Sequence, residues 1–356
     1  MYLNKLSEFQ SYLVKERIDL AVLISADSNI TYFTDLVPTQ AILTITKNNA
    51  RLSISKLDKK IKINEIEIKD LSKKMEDNFL EYKINKTFDK IKKIGINKSC
   101  LTVKDDEQLT KIFSKASFVD ISNQLSKLRS IKSTKDVEKV KKACKITTQA
   151  FNLLLNELPK GKIKTEQEVA FFLEKEIKNR GADLAFPTIV GTGKNSSIPH
   201  HITSTVKLQK GFLQLDFGAK WQNYCSDMSR VLYLGKPIEE ELKMYKLLLE
   251  VQEKAIGEVK NNKLYKEIDT DVRKHLGKYN KYFIHGLGHG VGIDIHEAPV
   301  YSKAKIEKGH IFTIEPGIYL PNRYGLRIED TLHFDGIKTT NLTNSASKDL
   351  KRIPWP

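Results

Sequence analysis

The chain has 356 residues, more than the ~250–300 that one hydrophobic core usually holds, so two domains are expected. Its 40% hydrophobic and 29% charged content, with 18 glycines and 10 prolines, excludes fibrous and disordered classes. The net charge of +16 raises nucleic-acid binding, but only nine of the 60 basic residues are arginine. The lysines interleave with glutamate, as in KSTKDVEKVKKACK, which reads as a solvated surface and argues against a nucleic-acid partner.

Residues 1–127 read as a small α/β domain. Leu3, Leu6, Phe9 and Leu13 mark an amphipathic helix, followed by the apolar strand DLAVLI. NITYFTDL reads as a short helix, and ILTIT and RLSIS as strands. Residues 57–98 are lysine-rich and give no clear pattern. CLTV and SFVDI read as short strands around one helix. LRSIKS, residues 128–133, is the junction, so a second domain is expected over 128–356.

Beyond the junction, Ser133–Asp136 has capping-box spacing. Val137, Val140, Cys144, Thr147, Phe151 and Leu154 then follow a helical stripe. A second box, Thr165–Glu168, opens another helix that Gly181 is placed to end. An irregular stretch leads to the alternating strand FLQLDFGA, a turn at Lys220–Asn223, and YCSDMSRVLYL. The order then repeats: helices over 239–260 and 264–276, a glycine- and histidine-rich stretch, then IFTIEPGIYL turning at PNRYG into LRIEDTLHF.

Each hairpin carries two acids. A hairpin centred between Trp221 and Gln222 sets Asp216 opposite Asp227, and one centred on Asn322 sets Glu315 opposite Glu329. Like charges at cross-strand positions are destabilising, and Asp216 lies between Leu215 and Phe217, where a bare charge is costly. A compensating cation is implied. HGLGHGVGIDIHE gathers His285, His289 and His296, and its glycines allow close backbone approach and positive φ. Four carboxylates and an imidazole suit a pair of divalent ions, with Mn²⁺ favoured by the oxygen excess and Co²⁺ or Zn²⁺ also accepted.

LDFGAKWQNYCSDMSR, HGLGHGVGIDIHEAP, FTIEPGIY and LRIEDT together resemble, in order, the motifs of the pita-bread metallopeptidases. The closest branch comprises prolidase (Xaa-Pro dipeptidase) and aminopeptidase P. The resemblance implies an α/β creatinase-like N-terminal domain and an α+β pita-bread catalytic domain. It places two divalent ions per subunit on Asp216, Asp227, His289, Glu315 and Glu329, with Asp227 and Glu329 bridging. It implies a metal-bridging hydroxide as nucleophile, with Glu315 shuttling the proton to the leaving nitrogen. It further implies catalytic roles for His200 and His296, a proline-side position for His285, and an orienting or substrate-side position for Arg327. Tyr319 is a weaker candidate, and His201 is a neighbour without a role.

The resemblance favours cleavage of the Xaa-Pro bond in dipeptides. One departure counts against this: HEAP is followed by Val300 and Tyr301, where a dipeptidase would carry an arginine for the substrate's carboxylate. Aminopeptidase P action on longer peptides is the alternative. A non-catalytic pita-bread protein binding through its basic surface would show lost ligands, and none is lost; a creatinase-type hydrolase would work without metal. A homodimer is implied by the resemblance alone. The unpaired Cys100, Cys144 and Cys225 and the lack of an apolar leader point to the cytoplasm.

Overall fold

The computed structural model describes residues 5–58, 61–79, 90–301 and 304–355. The chain forms two compact units, Met1–Arg129 and Ser130–Pro356.

The first unit is a six-stranded mixed sheet. Its order is Ile66–Asp70, Ala50–Ile54, Ala41–Ile45, Leu20–Ile24, Lys93–Ile96 and Ser117–Asp120. The helix Lys5–Lys15 buries Leu6, Phe9 and Leu13; Leu3 lies outside the described residues. CLTV is not a strand. Thr102 instead caps the helix Val103–Ile112, its side chain accepting from Asp105 N. Local capping outweighs the β-branched run. Two strands, Ile66–Asp70 and Lys93–Ile96, fall in the lysine-rich stretch that gave no pattern. They are short, and lysine on the solvent side masks the alternation.

The second unit follows the repeated order. Both capping boxes form, opening the helices Thr134–Glu157 and Glu166–Lys178. These pack with Leu213, Leu215, Phe217, Leu232 and Leu234 into one core. The helices Glu239–Gly257 and Tyr265–Leu276 pack with Phe312, Ile314, Ile318 and Leu332 into a second. The strands Gly211–Phe217 and Met228–Leu234 lie between the two cores. Odd positions of the first strand face one core, and Phe212, Val231 and Tyr233 face the other. Both faces are therefore apolar, as in a doubly covered sheet. Among the described residues, no helix is long and apolar enough to cross a membrane.

The first hairpin departs from its expected register. Lys220 pairs with Cys225 and Trp221 with Tyr224, so the turn is Gln222–Asn223, both at positive φ (46° and 71°). This two-residue, left-handed turn matches the strand twist and moves the centre one residue onward. Asp216 therefore faces Ser229. Asp227 is Asp216's diagonal neighbour on the same face, still within reach. The second hairpin is symmetric about Asn322 (φ 61°), with Gly317 opposite Arg327 and Ile314 opposite Asp330. Glu315 and Glu329 fall opposite each other between these paired segments.

At Gly218 a Cβ would lie 1.9 Å from Ser226 O, in the segment that leads into Asp227. Gly218→Ala is expected to lower stability by about 1–3 kcal/mol, read as a reduced urea midpoint at unchanged slope.

Candidate metal centre

Asp216, Asp227, His289, Glu315 and Glu329 line one cavity of about 720 Å³ together with His200, His285, His296 and Arg327. These nine residues, singled out from sequence, thus line one cavity; Tyr319, the weaker candidate, is not among its lining residues. The tightest group is Asp227, His289 and Glu329, each offering a ligand atom within 4.8 Å of the others. His289 Nε2 is also 3.4 Å from Glu315 Oε1 and 3.5 Å from Asp227 Oδ2. Asp216 and Glu315 stand outside the tightest group; Arg327 Nη2 donates to Asp216 Oδ2, and Asp216 Oδ1 has no hydrogen-bond partner.

The hydrogen bonding identifies which lone pairs point inward. His289 Nδ1 faces Gly290 O at 3.1 Å. A carbonyl only accepts, so Nδ1 carries the proton and Nε2 presents a lone pair. Burial and the nearby His296 ring lower the His289 pKa to about 3, which keeps it neutral. Its Nε2 therefore faces Asp227 Oδ2 and Glu315 Oε1 as a lone pair. Asp216 Oδ1, Asp227 Oδ1 and Glu329 Oε1 are buried without a hydrogen-bond partner. Burial and mutual repulsion raise Asp227 and Glu329 well above the usual carboxylate range. Burial likewise raises Glu315 to about 8, against the pull of Arg327. Converging acceptors without donors are unfavourable alone and fit divalent cations.

Hydroxyls and guanidinium groups hold the acids in place. Ser229 Oγ donates to Glu329 Oε2 at 2.9 Å and accepts from Arg327 Nε at 2.8 Å. Thr313 Oγ1 accepts from His289 N at 3.1 Å and donates to Glu315 Oε1 at 3.3 Å. Thr331 Oγ1 joins both backbone groups of Asp227. Beneath them, the buried Arg230 donates to Glu329 O and pairs with Asp330 at 2.7 Å. Burial raises the Asp330 carboxyl, but Arg230 and Lys348 more than offset this and hold it well below its usual range. Sequence reading missed Ser229, which becomes visible only once Asp216 is registered opposite it.

Three expectations change. The four glycines of the histidine loop do not adopt positive φ. Gly288, Gly290 and Gly292 serve close approach, a Cβ on Gly288 lying 2.2 Å from Thr313 O, whereas Gly286 has open space around it. Arg327 spends all three guanidinium nitrogens on Ser229, Tyr319 and Asp216. It is buried, and three of its five N–H donors are committed to these neighbours, one of them the Asp216 carboxylate. His285 lines the cavity, but both its nitrogens are engaged. Nδ1–H donates to Gly286 O at 2.8 Å, so Nε2 accepts from Tyr319 OH at 2.8 Å. Burial and the nearby Arg327 lower its pKa to about 4. His285 therefore presents a neutral ring wall to the cavity. His296 lies edge-on to His289, ring centres 4.2 Å apart.

Comparison with known proteins places this geometry. The profile of metallopeptidase family M24 matches residues 138–335, and that of the creatinase/prolidase N-terminal domain matches residues 5–131. The Xaa-Pro dipeptidase of Pyrococcus horikoshii is 34% identical over 337 residues, spanning 92% of this chain and 93% of that protein. The crystal structure of the prolidase from Pyrococcus horikoshii OT3 is 31% identical with a TM-score of 0.86, covering 98% of this chain and 100% of that one. The X-Pro aminopeptidase from Thermotoga maritima is 27% identical with a TM-score of 0.85, covering 97% and 100%. The paired helix-and-hairpin halves are the pita-bread fold, the N-terminal sheet is its creatinase-type companion, and the chain belongs to metallopeptidase family M24, whose members use divalent metal ions.

Proposed function

We propose that this chain hydrolyses the Xaa-Pro bond of dipeptides with two divalent ions bound at Asp216, Asp227, His289, Glu315 and Glu329. The observation that carries the reading is that Asp227, His289 and Glu329 offer ligand atoms within 4.8 Å of one another, while Asp216 Oδ1, Asp227 Oδ1 and Glu329 Oε1 are buried without a hydrogen-bond partner. Similarity to the Xaa-Pro dipeptidase of Pyrococcus horikoshii supports the substrate class. Asp216, Asp227, His289, Glu315 and Glu329 would hold the ions, with His289 Nε2 and Glu315 Oε1 3.4 Å apart. The oxygen-rich donor set favours Mn²⁺.

Ions bound there supply a water of lowered pKa and a polarised scissile carbonyl. Glu315 takes the proton from the attacking water and delivers it to the proline nitrogen, which must be protonated to leave. His200 and His296 donate to the carbonyl oxygen as its negative charge grows. His285, fixed by Tyr319, forms the wall against which the proline ring packs. The three widely spaced cysteines, Cys144 and Cys225 of them buried, support a reducing cytoplasmic setting, and the family likeness supports a homodimer.

Aminopeptidase action on longer peptides is the second reading. In sequence, Val300 and Tyr301 follow HEAP where a dipeptidase would carry an arginine, and neither lines the cavity. Among the described cavity-lining residues the arginine is Arg327, already committed to Asp216.

The test is hydrolysis of Ala-Pro and of Ala-Pro-Ala-Ala by metal-stripped protein before and after adding Mn²⁺. Restored cleavage of Ala-Pro supports the dipeptidase. Cleavage confined to the longer peptide transfers the assignment to the aminopeptidase, and cleavage of neither overturns both. Asp227→Asn removes a central ligand charge and should abolish turnover; near-normal turnover with two metals bound would refute the ligand set. Ser229→Ala should weaken metal affinity by ~10–100-fold, the usual cost of losing a group that orients a ligand, measured by competition with a chelating dye.

A further inference from the structure

The cavity wall opposite the histidine loop is built from residues 199–203: Pro199, His200, His201, Ile202 and Thr203. It belongs to the irregular stretch between Thr192 and the strand Gly211–Phe217, so regular secondary structure does not hold it. Thr203 Oγ1 ties it to Val190 N and Thr188 O, and one side chain outside the stretch collects donors from along it. Glu166, the first residue of the helix Glu166–Lys178, is fully buried at 0% exposure. Its Oε1 accepts from Thr192 N and Asn195 Nδ2, both at 2.9 Å. Its Oε2 accepts from His201 Nε2 and Ser204 Oγ, both at 2.9 Å, and from Ser204 N at 3.4 Å. Five donors from residues 192–204 thus meet on one carboxylate. The backbone adds Glu166 N to Val206 O and Gln167 N to Ser204 O.

A buried carboxylate is costly unless its lone pairs are filled. Here every donor comes from residues 192–204, the segment that contains the wall, so ordering that segment and satisfying Glu166 are coupled. Because a carboxylate only accepts, His201 Nε2 carries a proton and the ring is fixed in orientation. His201 is the next residue after His200. The imidazole that the sequence reading set aside is the clamp that fixes its neighbour.

The geometry points to Glu166, acting through His201, as the positioning residue for the substrate-side wall that carries His200 and Ile202. This rests on the reading of the cavity as an Xaa-Pro peptidase site. Glu166 touches none of the metal-centre residues in its hydrogen bonding. Its loss should therefore disorder the wall and impair turnover while leaving metal binding intact, a separation that general unfolding would not produce.

The experiment compares Glu166→Gln, His201→Leu and His201→Gln with the unaltered protein, all loaded with Mn²⁺. Three quantities are read: metal stoichiometry, hydrogen exchange at the Thr192 and Ser204 amides, and kcat and KM on Ala-Pro or Ala-Pro-Ala-Ala. Glu166→Gln and His201→Leu are expected to bind two metals normally. Their two amides should exchange about tenfold faster, as for a lost hydrogen bond to a charged group. Their kcat/KM should fall ~100-fold, as for a misplaced catalytic wall. His201→Gln, which can still donate to the carboxylate, should recover exchange protection and part of the kcat/KM. Unchanged exchange, or faster exchange with unchanged kinetics, overturns the assignment. Should Glu166→Gln not fold, the two His201 variants decide it alone. If the unaltered protein cleaves neither peptide, the peptidase reading has failed. Exchange at the two amides then still upholds or overturns the clamp.

Discussion

Everything around the cavity follows from one electrostatic constraint: several carboxylates must be held together, buried, before the charge that satisfies them arrives. Water would ordinarily screen such groups or protons would neutralise them. Here burial removes the first remedy, and the raised Asp227, Glu315 and Glu329 show the second pressing. The chain answers with fixed cations and hydroxyls behind the acids. Arg327 takes one oxygen of Asp216, Ser229 takes one of Glu329, and Arg230 grips the backbone at Glu329. The other oxygens of Asp216 and Glu329 are left without a hydrogen-bond partner. The scaffold offsets enough charge to let the acids sit close, and not so much that it fills the site.

The same logic explains the neutral histidines. A protonated imidazole among these acids would be an internal counter-ion and would compete with a metal. Burial and nearby positive groups prevent this at His285 and His289, and backbone carbonyls fix their tautomers. The ring that faces the acids keeps its lone pair, and the ring that faces away passes its lone pair to Tyr319. Two histidines four residues apart thus differ in role because the partner of Nε2 differs.

The acids, the histidine loop and the repeated helix-and-hairpin order were legible in the sequence, because charge in apolar strands and capping spacing are local signals. The Glu315–Glu329 register was legible too, since its loop is symmetric about Asn322. The first hairpin was not: its centre depends on Gln222 and Asn223 both adopting left-handed conformations, which glutamine rarely announces. That one-residue error hid Ser229. The support of His201 by Glu166 was invisible for another reason, since the two residues are 35 apart and meet only when the wall folds back onto the helix. In the first unit, Thr102 misled because capping and strand formation compete for the same residue types.

The strand Gly211–Phe217 carries a consequence for how this chain can vary. Phe212, Gln214 and Asp216 share one face, with Val231, Ser229 and Asp227 beside them, while Leu213, Leu215 and Phe217 share the other. One face thus grades from hydrocarbon to charge along its length. The alternation works as a reading frame with a period of two. Substitutions change one position, but a single inserted residue upstream in the strand would exchange Asp216 for a leucine or phenylalanine and drive the acid into the opposite core. Length change is confined to the connections, and the frame of the strands is inherited whole.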